Sequence, residues 1–145
     1  MTISISLIKW PESKSASVRL YLKFIIEVTK SLNLTFDGCN NDPVKITQGY
    51  LDGLITDEDR KSALSYWWGC VDDKNIRGFK DKALLMSRLA ICFLSINEEN
   101  VDEISEHLSW FIEVLGFLNC NLSEVIRFMG EYFEFKPIAK GGVSS

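Results

Sequence analysis

The sequence predicts an all-α fold: a single-domain bundle of about six helices over residues 1–145, with a short extended N-terminal arm. Three observations predict it. Apolar residues recur at helical spacing through most of the chain. Capping residues, prolines and glycines punctuate the intervals at ordinary helix lengths. Only Met1 to Ile8 alternates with the period of two that a strand requires. With 145 residues, 46% hydrophobic and 25% charged, the chain has the size and composition of one globular domain, able to hold a core without disulfides or metal.

In the arm, residues 1–12, Ile3, Ile5 and Leu7 alternate with Thr2, Ser4 and Ser6. The sequence offers this strand no partner, so the arm either packs on helices or is presented to the sheet edge of another chain. Trp10-Pro11 breaks it. Ser13 or Ser15 caps a first helix that runs to about Leu32, with Val18, Leu22, Ile25, Ile26, Val28 and Leu32 on its apolar side. Residues 36–42 read as a loop. Asp42 followed by Pro43 starts a second helix, because proline at the first helical position gives up no hydrogen bond, and this helix ends at Gly53.

Thr56 caps a third helix whose first-turn acids, Asp57, Glu58 and Asp59, oppose the positive helix end. It runs to about Val71, and residues 72–78 read as a loop. The fourth helix, about Phe79 to Ile96, is apolar on nearly every side, as befits the middle of a bundle. Asn97 or Asn100 caps a fifth, on which Val101, Ile104, Leu108, Ile112, Leu115 and Leu118 keep the helical period. Asn121 and Glu124 have capping-box spacing at the head of a sixth. It buries Val125, Ile126, Met129 and Phe133 and stops near Pro137, and residues 137–145 read as a flexible tail.

No catalytic constellation emerges. His107 is the only histidine, so a metal pair or a triad lacks its partners. A phosphate-binding glycine loop and a nucleophile elbow are both missing. Cys39, Cys70, Cys92 and Cys120 lack the paired spacing of zinc ligands and read as free thiols. The expectation is a protein that is not an enzyme and takes no cofactor or metal. The longest apolar stretch, Ala83 to Ile96, is interrupted by Ser87, Arg88 and Ser95 and falls short of the roughly 20 residues a membrane span needs. Residues 1–10 carry no early positive charge and no small-residue cleavage site, so the expected compartment is the cytoplasm.

Charge is unevenly placed. Residues 52–73 hold six acids and two bases, residues 74–97 five bases and one acid, and residues 98–126 seven acids and no base. Such a surface repels nucleic acid and anionic membrane and attracts basic proteins. Glu98, Asp102 and Glu106 are spaced i, i+4, i+8, where like charges repel by about 0.2–0.5 kcal/mol per pair. Two readings stay open. The acids answer the helix dipole and the basic fourth helix (Lys74, Arg77, Lys80, Lys82, Arg88), or they face a partner. Of the two adjacent tryptophans, Trp67 shares a helical side with Leu64 and Val71 and belongs to the core. Trp68 points about 100° away, over a neighbouring helix or into a partner, and Asp72 and Asp73 follow it. Trp68, Asp72, Asp73, Glu98, Asp102 and Glu106 are therefore the candidate partner-binding residues.

Three phrases carry a family likeness: Tyr66-Trp67-Trp68-Gly69-Cys70-Val71-Asp72-Asp73, Lys82-Ala83-Leu84-Leu85-Met86-Ser87-Arg88-Leu89-Ala90-Ile91-Cys92, and Leu108-Ser109-Trp110-Phe111-Ile112-Glu113-Val114-Leu115. Over about Thr56 to Phe135 the chain resembles helical immunity proteins of bacterial contact-dependent growth inhibition and polymorphic-toxin systems. The resemblance implies a small cytoplasmic inhibitor without catalytic residues that binds a cognate toxin domain, a basic nuclease being the expected kind. It implies direct contact with neither nucleic acid nor membrane. The alternative is a helical adaptor or regulatory subunit of a cytoplasmic protein complex.

Overall fold

A computed structural model of the chain describes residues 5–36, 41–74 and 82–135, in backbone only at Ser6, at 72–74 and at Ala83. Among these residues are six α-helices: α1 (Lys14–Ser31), α2 (Pro43–Leu51), α3 (Asp57–Lys74), α4 (Lys82–Leu94), α5 (Ile104–Phe117) and α6 (Leu122–Tyr132). The fold is mostly helical, as the periodicity requires.

Four helices begin at their expected caps. The Ser13 hydroxyl accepts from the Ala16 amide at 3.2 Å. The Asp42 carboxylate accepts from Val44 at 2.9 Å, with Pro43 in the first helical position. Thr56 and Asp59 form a reciprocal box: the threonine hydroxyl accepts from the Asp59 amide, and the Asp59 carboxylate accepts from the Thr56 amide, both at 3.1 Å. At α6 the Asn121 side chain accepts from Ser123 at 3.0 Å, but the expected return contact from Glu124 is not made. That carboxylate is held at 3.0 Å by Arg127, one turn on, and at 3.2 Å by the Ser31 hydroxyl of α1. A charge-assisted bond to arginine outcompetes a neutral amide.

Helix ends are marked by left-handed residues. Asn33 (φ 59°), Gly53 (φ 81°) and Asn119 (φ 63°) follow α1, α2 and α5. After each, the next amide returns to a carbonyl of the last turn: Leu34 to Thr29, Leu54 to Gly49, Cys120 to Leu115. This closes the helices as Schellman turns.

Three expectations need correction. Helix α3 continues to Lys74, so Asp72 and Asp73 sit in its last turn and not in a loop. The remainder of that expected loop, and Phe79 to Asp81 of the expected fourth helix, lie outside the described residues, as do Cys39 and the expected tail. The fifth helix opens with a 3-10 turn, Val101–Glu103, before α5 proper, and neither Asn97 nor Asn100 caps α5. Each instead satisfies the connecting turn. The Asn97 side chain accepts from Glu99 at 2.8 Å, and Asn100 accepts from Asn97 and donates to the Ser95 carbonyl at 2.8 and 2.7 Å. Short amide side chains favour such local bonds over helix. The arm is the third case. Met1 to Ser4 lie outside the described residues, Ile5–Leu7 form a 3-10 turn, and only Ile8–Lys9 (β1) are extended. They do have a partner: Glu134–Phe135 (β2) pairs antiparallel, Ile8 opposite Phe135 and Lys9 opposite Glu134. Helix α6 stops at Tyr132 because Phe133 turns extended (φ −115°, ψ 146°) while staying buried.

The core is continuous. Helix α4 packs on α2, α3 and α5, and its residues Leu89 to Phe93 are wholly buried, so the apolar helix is central as expected. Phe24 meets Phe111 edge-on at 6.5 Å and Phe133 at 4.8 Å, and Trp10 of the arm rests on Phe133 at 5.1 Å.

Polar ties converge on the end of α4. The Tyr21 hydroxyl donates to the Cys92 carbonyl at 3.2 Å. Arg60 of α3, 1% exposed, donates through Nη2 to the carbonyls of Phe93 (3.0 Å) and Ile96 (2.8 Å). Its guanidinium lies 4.5 Å from the centre of the Tyr50 ring and 3.5 Å from the Asp57 carboxylate. It therefore caps the negative end of α4 while bridging α2 and α3. Burial lowers its pKa, and Tyr50 and Asp57 pull it back up. Arginine keeps its proton throughout. Arg19 of α1 does the same for α2, donating to the Leu51 carbonyl at 2.7 Å.

Replacing Arg60 by Met should destabilise the protein by about 3–5 kcal/mol, because two inward carbonyls lose their donor. Urea unfolding measures the loss. Arg60→Lys should recover only part of it, since one ammonium does not reproduce the planar fork. A loss below about 1 kcal/mol for Arg60→Met would show that the α4 end is held by packing alone.

Candidate functional site

The two tryptophans divide as their spacing requires. Trp67 is buried, its indole nitrogen donating to the Asn41 carbonyl at 2.8 Å and its ring edge-on to Phe36 at 5.8 Å. Trp68 is 41% exposed and Tyr66 46%.

The candidate acids fall into two groups. From Asp57 to Asp72 α3 advances 15 residues, about 22 Å along its axis. Asp57 stands at the end where Arg60 grips the carbonyl of Ile96, two residues before Glu98. Asp57 and Glu98 both act on Tyr50, whose pKa is raised first by burial, then by Asp57 and more weakly by Glu98. Glu98 thus adjoins the first turn of α3, and Asp72 and Asp73 stand at the opposite end of that helix. The sequence expectation of two acidic elements holds as composition, but the fold does not join them.

Glu98, Asp102 and Glu106 are all exposed, yet they occupy three kinds of backbone: the connecting turn, the 3-10 turn and α5. A 3-10 turn advances about 120° per residue against 100° for an α-helix, so they do not form one straight helical stripe. Among the described residues no cation lies within 4.0 Å of any of them or of Glu113. Lys74 is described in backbone only, and Arg77 and Lys80 lie outside the described residues. Glu124, counted with the acidic run in the sequence, is neutralised by Arg127 just beyond it.

His107 is half-buried. Its Nδ1 lies 3.3 Å from the Ser95 hydroxyl and its Nε2 3.9 Å from the Glu103 carboxylate. Serine, histidine and glutamate in line have the composition of a nucleophilic triad, but the Ser95 hydroxyl already donates to the Ile91 carbonyl at 2.8 Å. Its oxygen therefore accepts from Nδ1–H, the reverse of nucleophile activation. The contact is a strut from the end of α4 to α5. The sequence gives His107 no partner, because the serine lies 12 positions away on another element. Nor does it single out Leu54, which is 80% exposed in the turn between α2 and α3, where no periodicity marks it.

No three metal-ligating side chains converge among the described residues. Cys70, Cys92 and Cys120 are free, and burial pushes the Cys92 thiol far above its ordinary range. No helix of the described residues is long and apolar enough to cross a membrane. No family model, curated protein or solved structure matches the chain.

Burial lowers the pKa of His107, and Glu103 and Glu106 only partly oppose it. The unfolded chain then takes up this proton at a higher pH than the folded one. The stability tied to neutral His107 is complete above about pH 7 and is lost as pH falls through about 6.5 to the folded pKa. Melting temperatures between pH 7.5 and 5.5 should fall less in His107→Gln than in the parent. An equal or steeper fall in the variant would place the titration elsewhere.

Proposed function

We propose that this chain is a bacterial, cytoplasmic immunity protein that binds a cognate toxin domain and neutralises it by covering the basic active-site cleft of a nuclease. The observation that carries the reading is the exposed acidic run Glu98, Asp102 and Glu106, with no cation within 4.0 Å among the described residues. Stability alone favours interspersed bases on such a surface. A basic cleft supplies the missing charge from outside, and long-range attraction speeds the encounter. Trp68 and Leu54 are exposed apolar side chains of the kind that anchor a protein interface. The family likeness of the segments around Trp67, Arg88 and Trp110 supports the same reading.

The test is co-expression with the variable C-terminal domain of a large secreted protein encoded next to this gene. Growth should be restored, and purified nuclease should be silenced at equal molar ratio. Failure of both, with every such neighbouring domain tried, would overturn the proposal. Asp102→Lys combined with Glu106→Lys should slow association about tenfold at 0.1 M salt and much less at 1 M, because the screening length falls from about 10 to 3 Å. Melting should barely change. Asp72→Lys with Asp73→Lys tests the far end of α3 separately. Wild-type association by the first double variant would remove those acids from the interface.

A further inference from the structure

We infer that the groove between the N-terminal arm, α1 and α6 binds an arginine side chain of a partner protein, gripped between Trp10 and Tyr132 and paired with Glu12 and Glu134. This deepens the reading of a basic partner and rests on it.

The groove has a volume of about 340 Å³. That is near the lower end of the roughly 300–1,000 Å³ typical of ligand sites, suited to one long side chain. Trp10, Tyr132 and Leu20, all half-buried, form its walls. Glu12 and Glu134, both exposed, stand at its rim with Lys9. Aromatic walls beside carboxylates select for a guanidinium. It is planar and weakly hydrated, stacks on indole and phenol rings, and presents forked donors to acids. An apolar guest would cost the carboxylates water without replacing it, and an acidic guest would be repelled.

The walls are built before any guest arrives. Trp10 rests on Phe133 at 5.1 Å, Phe133 on Phe24 at 4.8 Å, and Phe24 meets Tyr132 edge-on at 5.8 Å. Both aromatic walls therefore lean on one buried ring pair. The Pro11 carbonyl accepts from the Ser17 hydroxyl at 2.9 Å, which pins the arm where it enters α1. A preformed cleft spares the ordering cost of binding. One further acid stands close by: the pKa of Tyr132 is raised first by burial and then by Glu27 and Glu131, of which Glu131 is already paired with Arg127 at 2.7 Å. Lys9 is the one opposing charge among the lining residues. It faces Glu134 across the β1–β2 ladder, yet no ion pair within 4.0 Å joins them, so Glu134 can take a better partner.

The experiment uses the full chain and three probes at matched ionic strength: N-acetyl-arginine amide, its lysine counterpart, and the uncharged citrulline analogue. Indole N–H signals of the four tryptophans are followed by NMR. The Trp10 signal should shift saturably with the arginine probe, less with lysine and not with citrulline. Glu12→Gln and Glu134→Gln should each weaken binding about threefold, and Lys9→Gln should strengthen it, as expected for exposed charge pairs. All three variants change exposed side chains, and unchanged melting checks their folding. Equal binding of citrulline, tighter binding of lysine, or shifts confined to Trp68 or Trp110 would each overturn the inference. So would binding that appears only after Lys136→Gln and Lys140→Gln, which would make the chain's own basic residues the occupant. No toxin enters this assay. Arginine binding by a chain that protects against no toxin would leave the groove standing and remove only the immunity reading.

Discussion

The arrangement of this bundle turns on one buried cation. Helix α4 is apolar on nearly every side, so packing alone leaves its depth and its end point weakly specified. Arg60 supplies the specification. Its two bonds to the carbonyls of Phe93 and Ile96 fix where α4 stops, and its contacts with Tyr50 and Asp57 fix where α2 and α3 stand around that stop. A buried guanidinium is costly unless nearly every donor is met, and the unpaired Nε of Arg60 leaves that account slightly short. What it gains is direction: the two carbonyl bonds tie the end of α4 to one position on α3, which an apolar side chain would not do. Arg19 at the end of α2 repeats the device, so two helix ends are closed by arginines from other helices.

This internal use of charge also sorts the acids. Asp57 is drawn to Arg60, Glu58 lies 3.7 Å from Lys61, and Glu124 is held by Arg127. Acids without an ion pair among the described residues include two groups, one on the α4–α5 connection with the start of α5, and one at the rim of the groove beside Trp10. A composition that reads as broadly acidic thus resolves into a structural set and a set available to solvent or a partner. The strut from Ser95 to His107 holds the acids of the α4–α5 connection against the end of α4, close to the Arg60 hub.

Much of the fold was legible because it is written locally. Ser13, Asp42-Pro43, Thr56 and Asn121 each act within three residues of themselves, and helical period placed Trp67 inside while leaving open whether Trp68 covers a neighbouring helix or faces a partner. The misses share a physical cause: they depend on contacts distant in sequence. Arg60 went unremarked beside three acids, because its partners are main-chain carbonyls 33 and 36 positions on, which leave no residue pattern. A two-residue ladder is too short for alternation to register. Asn97 and Asn100 have cap chemistry, and only the path of the turn decides which amides they meet. Of the candidate site, exposure was readable at Glu98, Asp102 and Glu106, whereas that of Trp68 depends on how neighbouring helices pack beside α3. The separation of Asp72 and Asp73 from Glu98 was not, since it follows from the course of α3 and α4 between them.

The short ladder between β1 and β2 has a kinetic meaning. It joins Ile8 to Phe135, positions separated by nearly the whole described chain, whereas the helices form from neighbours. Closing so large a loop is worthwhile only after most of the intervening chain has condensed, so this clasp belongs to the last stage of folding. Its ladder is only two residues long, yet Ile8 and the neighbouring Phe133 are buried, so it closes onto a core that is already formed. Once shut, it sets the arm against α6 and brings Trp10 to rest on Phe133. The helical body is thus made first, and the groove at its margin is finished last.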